Sequence, residues 1–231
     1  MSLATPAIAL SGVTRVLEGE VPVHLLSGVT LEIPRGSFVT ITGPSGSGKS
    51  SLLYVLGLLD VPTAGSVRID GVETAQMTDA ARSDIRLSKI GFVFQFHFLL
   101  PEFSALENVQ LPMRRLGRLA ERESRERSRD LLSRLGLGDH LHKLPRQLSG
   151  GQSQRVAIAR ALANDPEIIL ADEPTGNLDS RATQSVIDIF AQLSAERQRT
   201  IVTVTHDPTF AASSPQSVMI VDGAVAERVG F

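Results

Sequence analysis

Short apolar runs alternate along the chain with longer stretches of helical period. "SFVTITG" (37–43) is rich in β-branched residues and ends at a glycine, the profile of a buried strand. In "KSSLLYVLGLLD", directly after it, leucines stand at 52, 53, 56 and 59, a helical spacing. "EIILADE" (167–173) and "TIVTVTH" (200–206) read as two more buried strands, each running into polar loop residues. Strands separated by long helical segments imply a parallel sheet flanked by helices. "SVRIDG" (66–71) and "SVMIVDGAVAE" (217–227) instead alternate apolar and polar positions around Asp-Gly pairs, which predicts antiparallel hairpins.

The middle of the chain differs. Residues 113–140 are dense in arginine, glutamate and leucine, and Glu121 with Arg125 and Glu123 with Arg127 stand four apart, the order that supports a helix. Acids interleave with the arginines, so this reads as a solvated helical face rather than a basic patch for nucleic acid or anionic lipid. A net charge of −2 also argues against a general nucleic-acid binder. With 231 residues, 42% of them hydrophobic and 21% charged, one large globular domain, or a domain carrying a subdomain, is expected. Cysteine is absent, which removes disulfides, zinc clusters and a thiol nucleophile. The N-terminus has no basic start leading into a long apolar segment, and no run approaches the ~18 apolar residues of a membrane span.

Candidate chemistry begins at "GPSGSGKSS" (43–51). Gly43, Gly48, Lys49 and Ser50 satisfy G-x-x-x-x-G-K-[ST], with a strand before and a helix after, the context that the motif requires. Glycines let backbone N–H groups turn inward around a phosphate chain, and the helix beginning near Lys49 aims its positive end at the same anion. Lysine reaches the β- and γ-phosphates, and the Ser50 hydroxyl is a hard oxygen ligand for Mg²⁺. The stretch therefore predicts a nucleoside triphosphate site. At the end of "IILADE", Asp172 can support the Mg²⁺ shell, while Glu173 faces the γ-phosphate and polarises the attacking water. The carboxyl ends of strands are where open α/β sheets bind ligands. His206 follows the "IVTVT" strand at the same edge, within expected reach of the γ-phosphate.

"LSGGQ" (148–152), followed by "SQRVAIARAL", adds a second anion-binding arrangement. Ser149, Gly150 and Gly151 open an amphipathic helix predicted over 152–163, so a hydroxyl, bare N–H groups and the helix dipole converge. This string resembles the signature of ABC-type ATPases, and the resemblance runs through essentially the whole chain in order. Residues 43–51 resemble the Walker A loop: Gly43, Pro44, Ser45, Gly46, Ser47, Gly48, Lys49, Ser50 and Ser51, all then expected on ATP. Gln95 resembles the Q-loop residue, expected on the metal with Ser50 and Asp172. Leu148, Ser149, Gly150, Gly151 and Gln152 match the signature, Glu173 the catalytic glutamate, "GNLD" (176–179) with Asp179 the D-loop, and His206 the switch histidine.

The resemblance implies an α/β P-loop NTPase core of mostly parallel sheet, an antiparallel β portion on the N-terminal side, and an α-helical subdomain over about 92–163 within a single domain spanning 1–231. It implies Mg²⁺-dependent ATP hydrolysis in a homodimer that closes on ATP, the signature of one copy meeting the Walker A loop of the other near Asp179. "GFVFQFHFLLPEFSALENVQLPM" (91–113) is similar to the MacB/LolD/FtsE branch, nearest the lipoprotein-releasing LolD group. That implies a cytoplasmic subunit peripheral on the inner membrane face, docking separate permease subunits through Gln95–Pro112. Phe94, Phe96, Phe98 and Phe103 are expected to divide between subdomain core and exposed anchor. ABC ATPases acting on nucleic acid or the ribosome are the alternative, but neither a long coiled-coil insertion nor a second ATPase domain is present. One departure concerns the base: Val16 falls where the family usually carries an adenine-stacking aromatic, with no aromatic expected nearby, so base selectivity should be weak. Ser153 after the signature is a milder departure.

Overall fold

In the computed structural model, which describes residues 5–196 and 199–231, ten strands and seven α-helices follow one another along the chain. β1 (Ile8–Leu17) and β2 (Val23–Ile33) form a long antiparallel hairpin, followed by β3 (Phe38–Thr42) and α1 (Lys49–Leu56). β4 (Ala64–Ile69), β5 (Val72–Glu73), α2 (Asp79–Lys89) and β6 (Ile90–Phe94) come next, and then the helices α3 (Ala105–Leu116), α4 (Glu121–Arg134) and α5 (Gly150–Leu162). The remainder runs β7 (Ile168–Asp172), α6 (Ser180–Ala195), β8 (Thr200–Val204), α7 (Pro208–Ala212), β9 (Gln216–Val221) and β10 (Ala224–Val229).

The strands make two sheets. β2-β1-β4-β5 is antiparallel throughout. In the second, β10-β9-β3-β8-β7-β6, neighbours from β9 to β6 pair in parallel and β10 closes one edge antiparallel. The period of two explains how β3 serves both faces. Val39 and Ile41 enter the core between the two sheets and α1, while Phe38 packs on the other face, edge-on to Phe210. Thr40 is buried between strands, its hydroxyl 3.2 Å from that of Thr203, so neither polar group is stranded.

A second core lies under α5, α6 and α7, and a third joins α3, α4 and α5. α5 belongs to both: Ile158 and Leu162 face the sheet, whereas Val156, Ala159 and Ala163 face the helical subdomain. The helix carrying "LSGGQ" at its start is thus the seam between the two parts.

Two expectations need correcting. The helical subdomain does not begin at 92, because residues 90–94 form β6, hydrogen-bonded along β7 as an edge of the main sheet. In α4 the pairs expected between Glu121 and Arg125 and between Glu123 and Arg127 are not the ones made. Glu121 reaches back to Arg114 on α3, Glu123 accepts from the N–H of Ala120 at the helix start, and Arg127 donates to the carbonyl of Ala163. Packing α4 against its neighbours wins over pairing along its own surface, which is worth only about 0.3–0.5 kcal/mol per pair.

Candidate functional site

The parallel strands β3, β8, β7 and β6 lie side by side in that order, and their carboxyl ends share one edge. β3 ends at Thr42 and runs into residues 43–48; β7 ends at Asp172; His206 follows β8; Gln95 follows β6. Topology alone therefore gathers the candidate residues from four distant stretches of sequence.

The loop after β3 is tightly constrained. Gly43 has φ of 141°, and a Cβ there would sit 2.0 Å from the carbonyl oxygen of Ile220. Gly48 has φ of 99°, and its Cβ would lie 2.3 Å from the Leu25 oxygen. Both positions need a residue that tolerates positive φ and has no side chain. The N–H of Leu52 donates to Gly48 O at 2.8 Å, closing the first turn of α1. Lys49 curls back, its ammonium donating to the carbonyls of Gly43 at 3.0 Å and Pro44 at 2.7 Å, so the cation is held over the loop. The Ser47 hydroxyl is buried and has no hydrogen-bond partner. An unpaired hydroxyl in a glycine cradle at a helix N-terminus is a fit for a phosphate oxygen.

Asp172 is 8% exposed. Its carboxylate accepts from the Ser50 hydroxyl at 3.0 Å and the Tyr54 hydroxyl at 2.9 Å. Burial, and then the hydrogen bond to this carboxylate, push the Tyr54 phenol up to about 12. Tyr54 was missed from sequence, although it stands four residues after Ser50 on α1 and hence on the same helical face. Ser50 and Asp172 together supply hard oxygens of the kind that suit Mg²⁺. Gln95 was expected with them. The structure lays it elsewhere, its amide donating to Asn177 at 3.5 Å and packing where a Cβ on Gly176 would stand.

Glu173 has φ of 46° and directly precedes Pro174, a combination that is sterically costly because proline disfavours helical conformations in the residue before it. Its N–H donates to Val204 O at 2.9 Å, which ties the strained residue to β8. Oε2 lies 2.9 Å from His206 Nδ1 and accepts the His206 N–H at 3.2 Å. The carboxyl side chain is 16% exposed and the imidazole 73%. A carboxylate fixed by a half-free histidine at the mouth of a phosphate cradle can accept a proton from water and orient it.

The second anion arrangement is intact and separate. Ser149 caps α5, accepting from Gln152 N at 3.2 Å while Gln152 Oε1 accepts from Ser149 N at 2.9 Å. Gln152 Nε2 also lies 2.8 Å from His140 Nε2. Gly151 has a packing reason too, since a Cβ would come 2.7 Å from that of Ala182 on α6. A cleft of about 350 Å³ is lined by Ser149, Gly151, Arg155, Asp179 and Arg181, and Asp179 caps α6 by accepting from Ala182 N at 2.9 Å. Among the described residues, no hydrogen bond or ion pair joins residues 148–152 to 43–51.

Beyond Gln95, Phe96 and Phe98 are each 63% exposed, while Phe94 and Phe103 are half-buried. Arg160 on α5 donates to the carbonyls of His97 and Phe98, both at 2.7 Å, and so fixes this exposed aromatic loop to the helix that "LSGGQ" opens. Among the described residues no helix is long and apolar enough to cross a membrane. Val16 lies on β1, paired in register with His24 of β2.

A family model described as ABC transporter matches residues 26–176. The chain is 54% identical over 202 residues to the lipoprotein-releasing system ATP-binding protein LolD 1 of Chlorobium chlorochromatii, covering 87% of this chain and 82% of that protein. It is 50% identical to LolD of Aquifex aeolicus, over 89% of this chain and 91% of that one. Identity to the macrolide export protein MacB of Syntrophobacter fumaroxidans is 48%, over 92% of this chain and 30% of that longer protein. Among solved structures, the dimeric post-hydrolysis state of the ATP-binding cassette MJ0796 bound to ADP and Pi matches with a TM-score of 0.90 and 43% identity, over 97% of this chain and 99% of that chain.

Proposed function

The chain belongs to the ABC transporter ATP-binding family, and from that premise we propose that its dimer hydrolyses Mg²⁺-ATP to drive a separate membrane permease in lipoprotein release or MacB-like export. One observation carries the catalytic part. The strand ends bring Ser50 against Asp172 and His206 against Glu173 beside a glycine cradle that holds a buried, unpaired Ser47 hydroxyl.

Each residue has a task that its geometry suits. Residues 43–51 bind the phosphates through backbone N–H groups and the Lys49 ammonium. Ser50 and Asp172 hold Mg²⁺, and Gln95, packed against Gly176 and Asn177, would join them only by moving. Bound by these residues, Mg²⁺ would supply positive charge against the negative phosphate oxygens. Glu173 accepts the proton from the attacking water, and His206 holds that carboxylate in place.

Ser149, Gly150 and Gly151, with Leu148 and Gln152 shaping their turn, complete the site of a second copy, next to Asp179. The support is geometric: their anion arrangement has no phosphate loop of its own in this chain, and the cassette that this chain resembles was solved as a dimer. The exposed Phe96 and Phe98, on the Gln95–Pro112 segment tied to α5 by Arg160, suit the permease contact, which would hold the subunit on the inner face of the membrane. Similarity over most of the length of LolD proteins supports the lipoprotein reading.

Phosphate release by the purified chain tests the catalytic part. Release should require Mg²⁺ and fall at least a hundredfold in Lys49→Ala; metal-independent release, or an active Lys49→Ala, would contradict the site.

A further inference from the structure

Asp172 is buried, yet among the described residues no lysine or arginine forms an ion pair with it. A buried carboxylate needs a cation, or hydrogen bonds that replace its water. Two hydroxyls of one helix supply the bonds here, Ser50 donating to Oδ1 at 3.0 Å and Tyr54 to Oδ2 at 2.9 Å. The two residues stand four apart on α1 and so share a face of it. They are not equivalent. Ser50 adjoins the phosphate loop, and its oxygen keeps lone pairs for a cation while its proton is on Asp172. Tyr54 sits one helical turn, about 5.4 Å, farther from that loop. Its hydroxyl acts on the site through Asp172.

The placement of Tyr54 follows from the packing of α1. Leu52, Leu53, Val55 and Leu56 are completely buried, which gives the helix one rotational setting, and in it Ser50 and Tyr54 face the end of β7. The separation is set at Gly57, just past the helix. A Cβ there would stand 2.2 Å from Phe92 Cζ on β6 and 2.7 Å from Leu170 Cδ1 on β7. A residue without a side chain thus lets α1 end this close to the sheet. The backbone of Tyr54 is held as well, its carbonyl accepting from the N–H groups of Leu59 at 2.8 Å and Asp60 at 3.2 Å. Its ring packs against the core between the two sheets. The phenol is therefore a rigid arm from α1 to β7.

The terminal torsion of an aspartate is broad, so one donor leaves the carboxylate plane loose and two donors, one on each oxygen, set it. We infer that Tyr54 is a positioning residue for Mg²⁺, holding Asp172 by Oδ2 and thereby fixing Oδ1, with the Ser50 hydroxyl, for the metal. The inference rests on the reading of Ser50 and Asp172 as the metal pair, and it adds the group that orients them. Partners of this kind behind a metal-binding carboxylate are commonly worth ten- to a hundredfold in metal affinity. Because the phenol bonds to Asp172 and not to the phosphate cradle, its loss should appear only in the metal-linked part of nucleotide binding.

The test uses the full chain with Glu173→Gln to suppress turnover, and titrates ATP once with Mg²⁺ and once with EDTA. The ratio of the two affinities is the gain due to metal. Tyr54→Phe keeps the ring and removes the hydroxyl; it should cut that gain about tenfold or more, with ATP in EDTA staying within about twofold. A second readout needs no substitution at this position, because Tyr54 is the single tyrosine of a chain without tryptophan. With tripolyphosphate in the cradle, which does not absorb where tyrosine does, Mg²⁺ should change the tyrosine difference spectrum. A metal gain unchanged in Tyr54→Phe would overturn the inference. So would an equal loss with Mg²⁺ and with EDTA, which marks a purely structural role, or a tyrosine spectrum that Mg²⁺ leaves as it was. If the parent protein gains no ATP affinity from Mg²⁺, the metal reading itself fails and takes this inference with it.

Discussion

Nδ1 of His206 stands 2.9 Å from Oε2 of Glu173, and the same oxygen accepts the backbone N–H of His206 at 3.2 Å. One backbone donor and one imidazole nitrogen from the same residue, both on one carboxylate oxygen, fix the glutamate's direction and leave its other oxygen for water. His206→Ala keeps the backbone donor and removes the imidazole. Turnover should fall about a hundredfold, within the range that a positioned acid–base group supplies, while ATP affinity changes by less than about threefold. A variant with near-normal turnover would show that the backbone contact alone suffices.

Tyr54 allows a direct reading of the metal corner, because it is the single tyrosine of a chain without tryptophan. Its phenol should titrate in phenolate absorbance near pH 12 in the folded protein, against about 10.0 when denatured. The folded form holds this proton more tightly. Its contribution to stability is therefore level below the unfolded value and is lost as pH rises from there through the folded value. Tyr54→Phe should remove that part of the alkaline loss. A native midpoint near 10 would mean that the phenol is neither buried nor bonded to Asp172 in solution as it is here.

Gly151 predicts a steric rescue. Gly151→Ala sets a methyl 2.7 Å from Ala182 Cβ, and overpacking of this kind costs about 1–3 kcal/mol, offset by up to about 1 kcal/mol of helix propensity. Thermal unfolding should show a net loss, and adding Ala182→Gly should return part of it. No loss in the single variant would leave Gly151 needed only for an anion.

The parts of the site that the sequence shows are those written locally. A β-branched run ending in glycines or acids marks a strand and its carboxyl end, so residues 43–51, Asp172, Glu173 and His206 could be placed at strand ends before any contact was known. Long-range register is not written that way. β1 is interrupted at Gly12, with φ of 58°, and its pairing with β2 shifts there and again before Arg15 and Val16; its alternation is blurred, and the register of the hairpin cannot be read from either strand alone. Tyr54 was hidden among leucines of the same helix. The α4 ion pairs went astray because tertiary neighbours competed for the same side chains, and the subdomain start was set too early because β6 is a short apolar run that pattern alone does not separate from a helix.

On the function proposed above, Glu173 activates water at a nucleotide held between two copies of the chain. Native mass measurement of Glu173→Gln with Mg²⁺-ATP, alongside its rate of phosphate release, tests both halves together. Release should fall below about a hundredth of wild type, and the 24.8 kDa chain should shift to twice that mass with two ATP bound. A variant that stays monomeric at saturating ATP, or that keeps more than about a tenth of wild-type release, would contradict it.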